Sequence, residues 1–158
     1  MKKIGFDIHG VIDKNPELFS KIINRLKGLG YEIHIITGSL ITEELLTELS
    51  LYNINYDQIF SILGFHQDKE TEIWEDANGN LWIDDDIWNE SKGNYCNRND
   101  FVFHLDDTKV YGNYFDIPFG HITPIKENPR ILEVKGDVSD DILAIFKEFE
   151  GYYKIKFI

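Results

Sequence analysis

A chain of 158 residues is one domain of ordinary size and too short for two. Its hydrophobic residues, 42% of the total, spread along the whole length without a low-complexity tract, which excludes disorder as the default. The formal charge of −12 argues against a nucleic-acid polymer or an anionic membrane as main partner, because either needs a basic surface.

No stretch approaches transmembrane length, and Met1-Lys2-Lys3 leads straight into a strand-like run without a signal peptide's apolar region, so a cytoplasmic location is expected. Cys96 is the only cysteine, which rules out an intrachain disulfide and an all-cysteine metal site. It is expected to be a buried, unreactive thiol.

Lys3 to Phe6 reads as a buried strand that ends abruptly in Asp7-Ile8-His9-Gly10. Asn15-Pro16-Glu17 then opens a helix, with Asn15 as N-cap, Leu18, Phe19, Ile22, Ile23, Leu26 and Leu29 at helical spacing, and Gly30 closing it. Tyr31 to Ile36 is a second strand, stopping at Thr37-Gly38-Ser39, and Thr42-Glu43-Glu44 opens a second helix carrying Leu45, Leu46 and Leu49. Two strand-loop-helix units in succession predict parallel strands with right-handed crossovers, which put both loops at one end of the sheet.

Gln58 to Leu63 is a third strand candidate. From Gly64 to Lys92 polar residues interleave with aromatics. There Glu72–Glu75 and Asn80–Ile83 flank Asp76-Ala77-Asn78-Gly79, predicting a β-hairpin whose tryptophans, Trp74 and Trp82, pack on each other or on the core, with lining a substrate pocket the lesser alternative. The alternate oxygens of Asp76, Asn78 and Asn80 invite a calcium-loop reading, but Leu81 and Ile87 stand where its glycine and glutamate belong. Asp84-Asp85-Asp86 fits a helix N-terminus.

Phe101 to Leu105 is another buried strand ending in acids, Asp106 and Asp107. Gly120 to Ile125 is a fifth strand candidate and Arg130 to Val134 is ambiguous. Ser139 caps a last helix, and Tyr152 to Ile158 closes the chain as a strand. The fold class expected is α/β, a doubly wound, mainly parallel Rossmann-like sheet over residues 1–158, with residues 64–91 as a hairpin flap beside its rim.

Three strand ends thus converge: Asp7 with His9, Thr37-Gly38-Ser39, and Asp106-Asp107. Carboxylates from different strands suit Mg²⁺, and a hydroxyl with a backbone N–H at a helix N-terminus suits an anion. Acid, hydroxyl and metal together point to phosphoryl transfer.

These segments resemble the haloacid dehalogenase-like phosphohydrolases. Asp7-Ile8-His9-Gly10-Val11-Ile12-Asp13 is similar to the family's first motif, Ile35-Ile36-Thr37-Gly38 to the second, and Phe103-His104-Leu105-Asp106-Asp107 to the fourth. Ser91-Lys92-Gly93-Asn94, with Lys92 fourteen residues before Asp106, resembles the third. The likeness runs from about Ile4 to Asp107, and its strength is in order and spacing.

The resemblance implies that Asp7 attacks phosphorus and carries a transient aspartyl phosphate. It implies Mg²⁺ held by Asp7, the His9 carbonyl and Asp106, with Asp107 in or just behind that set. Thr37 and the Gly38 N–H would grip phosphate, and Lys92 would offset the charge, with Lys109 a lesser stand-in. His9 departs from the pattern, since the family usually has an aspartate there that protonates the leaving oxygen and then activates water. A histidine can do both near neutral pH.

The function expected is a Mg²⁺-dependent phosphomonoester hydrolase acting on a small phosphorylated substrate, nucleotides first. A larger phosphorylated partner docking at the flap is a variant of it. One alternative is a catalytically impaired protein that binds a phosphorylated ligand without turnover. A metal-independent dehalogenase comes last, because it leaves adjacent Asp106 and Asp107 unexplained.

Overall fold

The computed structural model describes residues 1–158. Seven strands form one sheet in the order β3-β2-β1-β6-β7-β8-β9: β1 Lys3–Phe6, β2 Glu32–Thr37, β3 Gln58–Ser61, β6 Phe101–Asp106, β7 Phe119–Ile122, β8 Ile131–Lys135 and β9 Lys154–Phe157. All neighbours run parallel except β7 and β8. Five helices flank the sheet: α1 Pro16–Gly28, α2 Glu43–Leu51, α3 Ile62–Asp68, α4 Asp85–Asn97 and α5 Asp140–Glu148. The fold is therefore α/β with a mainly parallel, Rossmann-like sheet.

The helix starts follow from capping. Asn15 accepts from the Leu18 N–H at 3.3 Å, Thr42 from Leu45 at 3.2 Å, and Asp84 from Asp86 at 3.0 Å. Ser139 occupies the cap position of α5, but its hydroxyl donates to Asp141, whose carboxylate takes the Ile142 N–H at 2.8 Å. The third strand stops at Ser61, short of the expected Leu63, because the Ser61 hydroxyl caps α3 through the Gly64 N–H at 2.9 Å. The fifth runs from Phe119 to Ile122, and the ambiguous Arg130–Val134 segment is the antiparallel strand β8.

Apolar side chains fill both faces of the sheet. On one, Ile4, Phe6, Ile33, Ile35, Phe103 and Leu105 meet the apolar sides of α1 and α5, which Arg25 and Glu148 also join as an ion pair. On the other, Ile36, Phe60 and Phe101 meet Cys96 of α4 and Phe115. A register shift between Lys3 and Ile4 opposes Lys3 to Phe101 and Ile4 to Phe103, so Phe101 and Phe103 serve different cores despite their even spacing. Strand alternation then separates His104 and Asp106 from Phe103 and Leu105, and Lys92 of α4 bonds Asp106 on that other face.

The hairpin exists as β4 Trp74–Glu75 and β5 Leu81–Trp82, shorter than expected, with Trp74 directly opposite Trp82. Both tryptophans are about half exposed, at 50% and 56%, so neither is packed into the core. Asp76 organises the turn, accepting from the Asn78 and Asn80 N–H groups and from Trp82 Nε1 at 2.9 Å. No helix is long and apolar enough to cross a membrane.

Candidate active site

The C-terminal ends of β1, β2 and β6 meet at one edge, as parallel crossovers require. A cleft of about 300 Å³ opens there, lined by Asp7, His9, Thr37, Gly38, Lys92 and Asp107 among others. Asp106 lies directly beneath, fully buried. Carboxylate oxygens of Asp7, Asp106 and Asp107 come within 4.8 Å of one another. All seven residues singled out from the sequence thus gather in one place.

Lys92 joins them. Its ammonium, on a side chain with almost no exposure, donates to Asp7 Oδ1 at 3.0 Å and to Asp106 Oδ2 at 2.8 Å. Lys109, the lesser candidate, is out on the surface, 3.8 Å from Glu133.

The carboxyl groups are not equivalent. Asp106 accepts from Lys92, from His104 Nε2 at 2.8 Å and from the Thr108 N–H at 3.1 Å, and these hold it well below the usual carboxylate range despite burial. Burial pushes Asp7 well above that range, because its share of Lys92 is opposed by Asp106 and Asp107. The Lys92 ammonium, facing both acids, is held charged against its own burial. Burial also keeps His104 neutral, so it serves as an Nε2–H donor and adds no charge. Cys96 is buried, and its thiol is pushed up, matching the unreactive role expected of it.

Several supports carried no sequence signal as site residues. Gly5 leaves room for His104, since a Cβ there would lie 2.6 Å from His104 Nδ1. Arg130, 5% exposed, donates to the carbonyls of Thr123 at 2.8 Å and Gly10 at 3.0 Å, fastening the loop after β1 to β8. Gly10 has φ +97°, a conformation that glycine adopts freely, and a Cβ there would stand 2.0 Å from Asp107 Oδ2. Trp88 covers Gly38 and donates from Nε1 to the Tyr111 hydroxyl at 2.6 Å, walling the cleft. Gly10 and His104 were legible in principle, Gly10 within the first motif-like run and His104 two residues before Asp106 on the same strand face.

At the phosphate end, the Gly38 N–H donates to no protein acceptor, and Thr37 Oγ1 accepts the Ser39 N–H at 3.2 Å. The His9 carbonyl likewise accepts no hydrogen bond from the protein. The His9 imidazole is half exposed, with Nε2 3.6 Å from Glu48 Oε2 of α2. Oxygen-rich, anion-ready and partly open, the edge can bind a hard cation and a small anion together.

Comparison with known proteins adds no assignment: no family model matches the chain, and neither curated proteins nor solved structures give a match.

Proposed function

We propose that the protein is a Mg²⁺-dependent phosphomonoester hydrolase of the haloacid dehalogenase-like type, working through an aspartyl phosphate on Asp7. One observation carries this reading: Asp7, Lys92, Asp106 and Asp107, from β1, α4 and the end of β6, meet at a strand-end cleft with the free Gly38 N–H. Support for the metal lies in the donor set. Burial, with two acidic neighbours, drives the Asp7 carboxyl toward its neutral form, and three carboxyl groups facing a single ammonium leave a charge imbalance. Two further positive charges would remove it. The donors are all hard oxygens, and the His9 carbonyl is available beside them.

Asp7, Asp106, Asp107 and the His9 carbonyl would hold Mg²⁺, which supplies electrostatic stabilisation to the phosphoryl oxygens. The Gly38 N–H and Thr37 hydroxyl orient the phosphate, and Lys92 balances charge on Asp7. An Asp7 carboxylate oxygen forms a bond to phosphorus as the bond to the ester oxygen breaks, and His9 protonates the departing alcohol. His9 then takes a proton from water as the water oxygen attacks phosphorus, the bond to Asp7 breaks, and inorganic phosphate leaves.

The test is phosphate release from p-nitrophenyl phosphate with Mg²⁺, expected in wild type and lost in Asp7→Asn and in chelator. No release from wild type overturns the proposal. A binding protein without turnover is the second reading, favoured by the turn of His9 toward Glu48 at 3.6 Å. On that reading His9→Asp restores release, by about 10²–10⁴-fold if general acid-base help is what is missing.

A further inference from the structure

The cleft of Asp7 adjoins a second hollow of about 410 Å³, the two sharing His9, Ser39 and Leu63. One wall of this annex is the start of α2 and the other is the hairpin turn, at Gly79, Asn80 and Leu81. The hairpin therefore stands beside the site as a side wall. An ester with its phosphorus against Asp7 has this open, walled hollow beside it to receive its alcohol.

The lining is chemically one-sided. Its acidic side chains are Glu44 and Glu48, and apart from the His9 imidazole no lysine, arginine or aromatic ring is among them. Leucines and small polar groups make up most of the rest. Glu48 sits at the junction, fixed by the Tyr52 hydroxyl at 3.1 Å and 3.6 Å from His9 Nε2, while Glu44 lies exposed one turn earlier. A second phosphate or a carboxylate on the alcohol would meet two negative charges with no lysine or arginine to offset them, and a flat base would find no ring beyond the His9 imidazole that the proposed reaction uses. An ammonium group meets attraction from both glutamates.

Resting on the phosphatase reading, we infer that the annex is a leaving-group subsite selecting phosphate monoesters whose alcohol carries an ammonium group. Amino sugars and small amino alcohols are the two sources of that chemistry. Such esters also carry less net negative charge toward a protein of formal charge −12.

The test compares kcat/KM for phosphate release with Mg²⁺ within two pairs, glucosamine 6-phosphate against glucose 6-phosphate and phosphoethanolamine against glycerol 3-phosphate. AMP and p-nitrophenyl phosphate are added as further arms. In wild type the ammonium ester of at least one pair is expected to lead its neutral partner and AMP by about tenfold, the worth of two partly exposed ion pairs. Which pair responds identifies the source. In Glu44→Gln/Glu48→Gln that ratio falls toward unity, and because it compares two esters on the same protein, a partly misfolded fraction cancels. Equal rates within both pairs, a lead for AMP, or a preference that survives the double substitution overturns the subsite and leaves the phosphatase reading standing. No phosphate from any ester, p-nitrophenyl phosphate included, overturns both.

Discussion

Removing the Lys92 ammonium gives the sharpest test of how this site is held. Lys92→Met keeps most of the side chain's bulk but leaves Asp7 and Asp106 facing each other, after losing contacts of 3.0 and 2.8 Å at a position only 3% exposed. Breaking a buried ion pair by deleting one partner costs about 3–5 kcal/mol. For a domain of this length each kcal/mol moves the melting temperature by about 2–4 °C, so a fall of roughly 6–20 °C is expected at neutral pH without metal. The raised Lys92 pKa makes its contribution fully present at neutral pH, since it fades only as pH rises beyond the ordinary lysine range. Asp106 sets the acid side. Its lowered pKa gives stability that is present above the ordinary carboxylate value of about 3.9 and lost as pH falls toward its folded value. The gap between wild type and Lys92→Met should therefore narrow below about pH 4, where Asp106 of the unfolded chain begins to take up a proton while the folded one stays ionised. Calorimetric melting of both proteins across pH checks this, with Lys109→Met as a surface control. A loss no larger than the control's, or a gap that stays constant into acid, refutes the reasoning.

Three other outcomes follow from the same geometry. Millimolar Mg²⁺ should raise the melting temperature of wild type, by roughly 5–10 °C if it reaches a hundredfold over the dissociation constant, and Asp107→Asn should abolish the shift; thermal melts with and without chelator check both. Gly10→Ala forces a Cβ to 2.0 Å from Asp107 Oδ2 at φ +97°, which should cost about 1–3 kcal/mol and weaken the Mg²⁺ response, read in the same melts. Asp76→Ala should release the hairpin alone: hydrogen exchange at Asn78 and Asn80 and the Trp82 indole resonance change, while the global melting temperature stays within about 2 °C.

What the sequence made legible was local chemistry. Asn15, Thr42 and Asp84 announce helix starts because a side-chain oxygen beside an orphan N–H is a contact within a few residues, and each makes that contact. The segment Gln58 to Asp68 shows the limit. Its apolar, β-rich beginning suits a strand, but the Ser61 cap and burial of Ile62 and His66 turn the chain into α3, with His66 held by Ser91 of α4 at 2.8 Å. That last contact spans twenty-five residues and has no local signature. Of the two settings expected for the tryptophans, the structure gives the pairing across the hairpin and not the core, for a related reason. Their pairing across the hairpin follows from the turn, but nothing nearby in sequence says whether a face will be covered, and Trp82 spends its N–H on Asp76 in the open. In the site, Asp7, Lys92, Asp106 and Asp107 were readable because acids and a lysine at element ends are chemically conspicuous. Arg130 was not, because its use, a bond to the Gly10 carbonyl 120 residues away, exists only once β8 has turned antiparallel beside β7.

The charges at this edge also bear on the order of events in the proposed reaction. Arg130 is the one other cation near Asp107, but its guanidinium is committed to the carbonyls of Thr123 and Gly10, so it secures the loop without facing the cleft. His104 is neutral and Lys92 is already shared by two acids. A phosphate ester arriving before any metal would thus meet three carboxyl groups with one engaged ammonium between them, against which a single free N–H at Gly38 offers little. The burial that, together with those acidic neighbours, raises the Asp7 pKa also blunts it as a nucleophile, since a protonated carboxyl attacks poorly. A divalent cation held by these acids would relieve both difficulties together, lowering the Asp7 pKa and supplying the attraction the phosphate lacks. On this reading Asp7 becomes both reactive and approachable only in the metal-bound protein, and the buried excess of acid is the feature that couples the two.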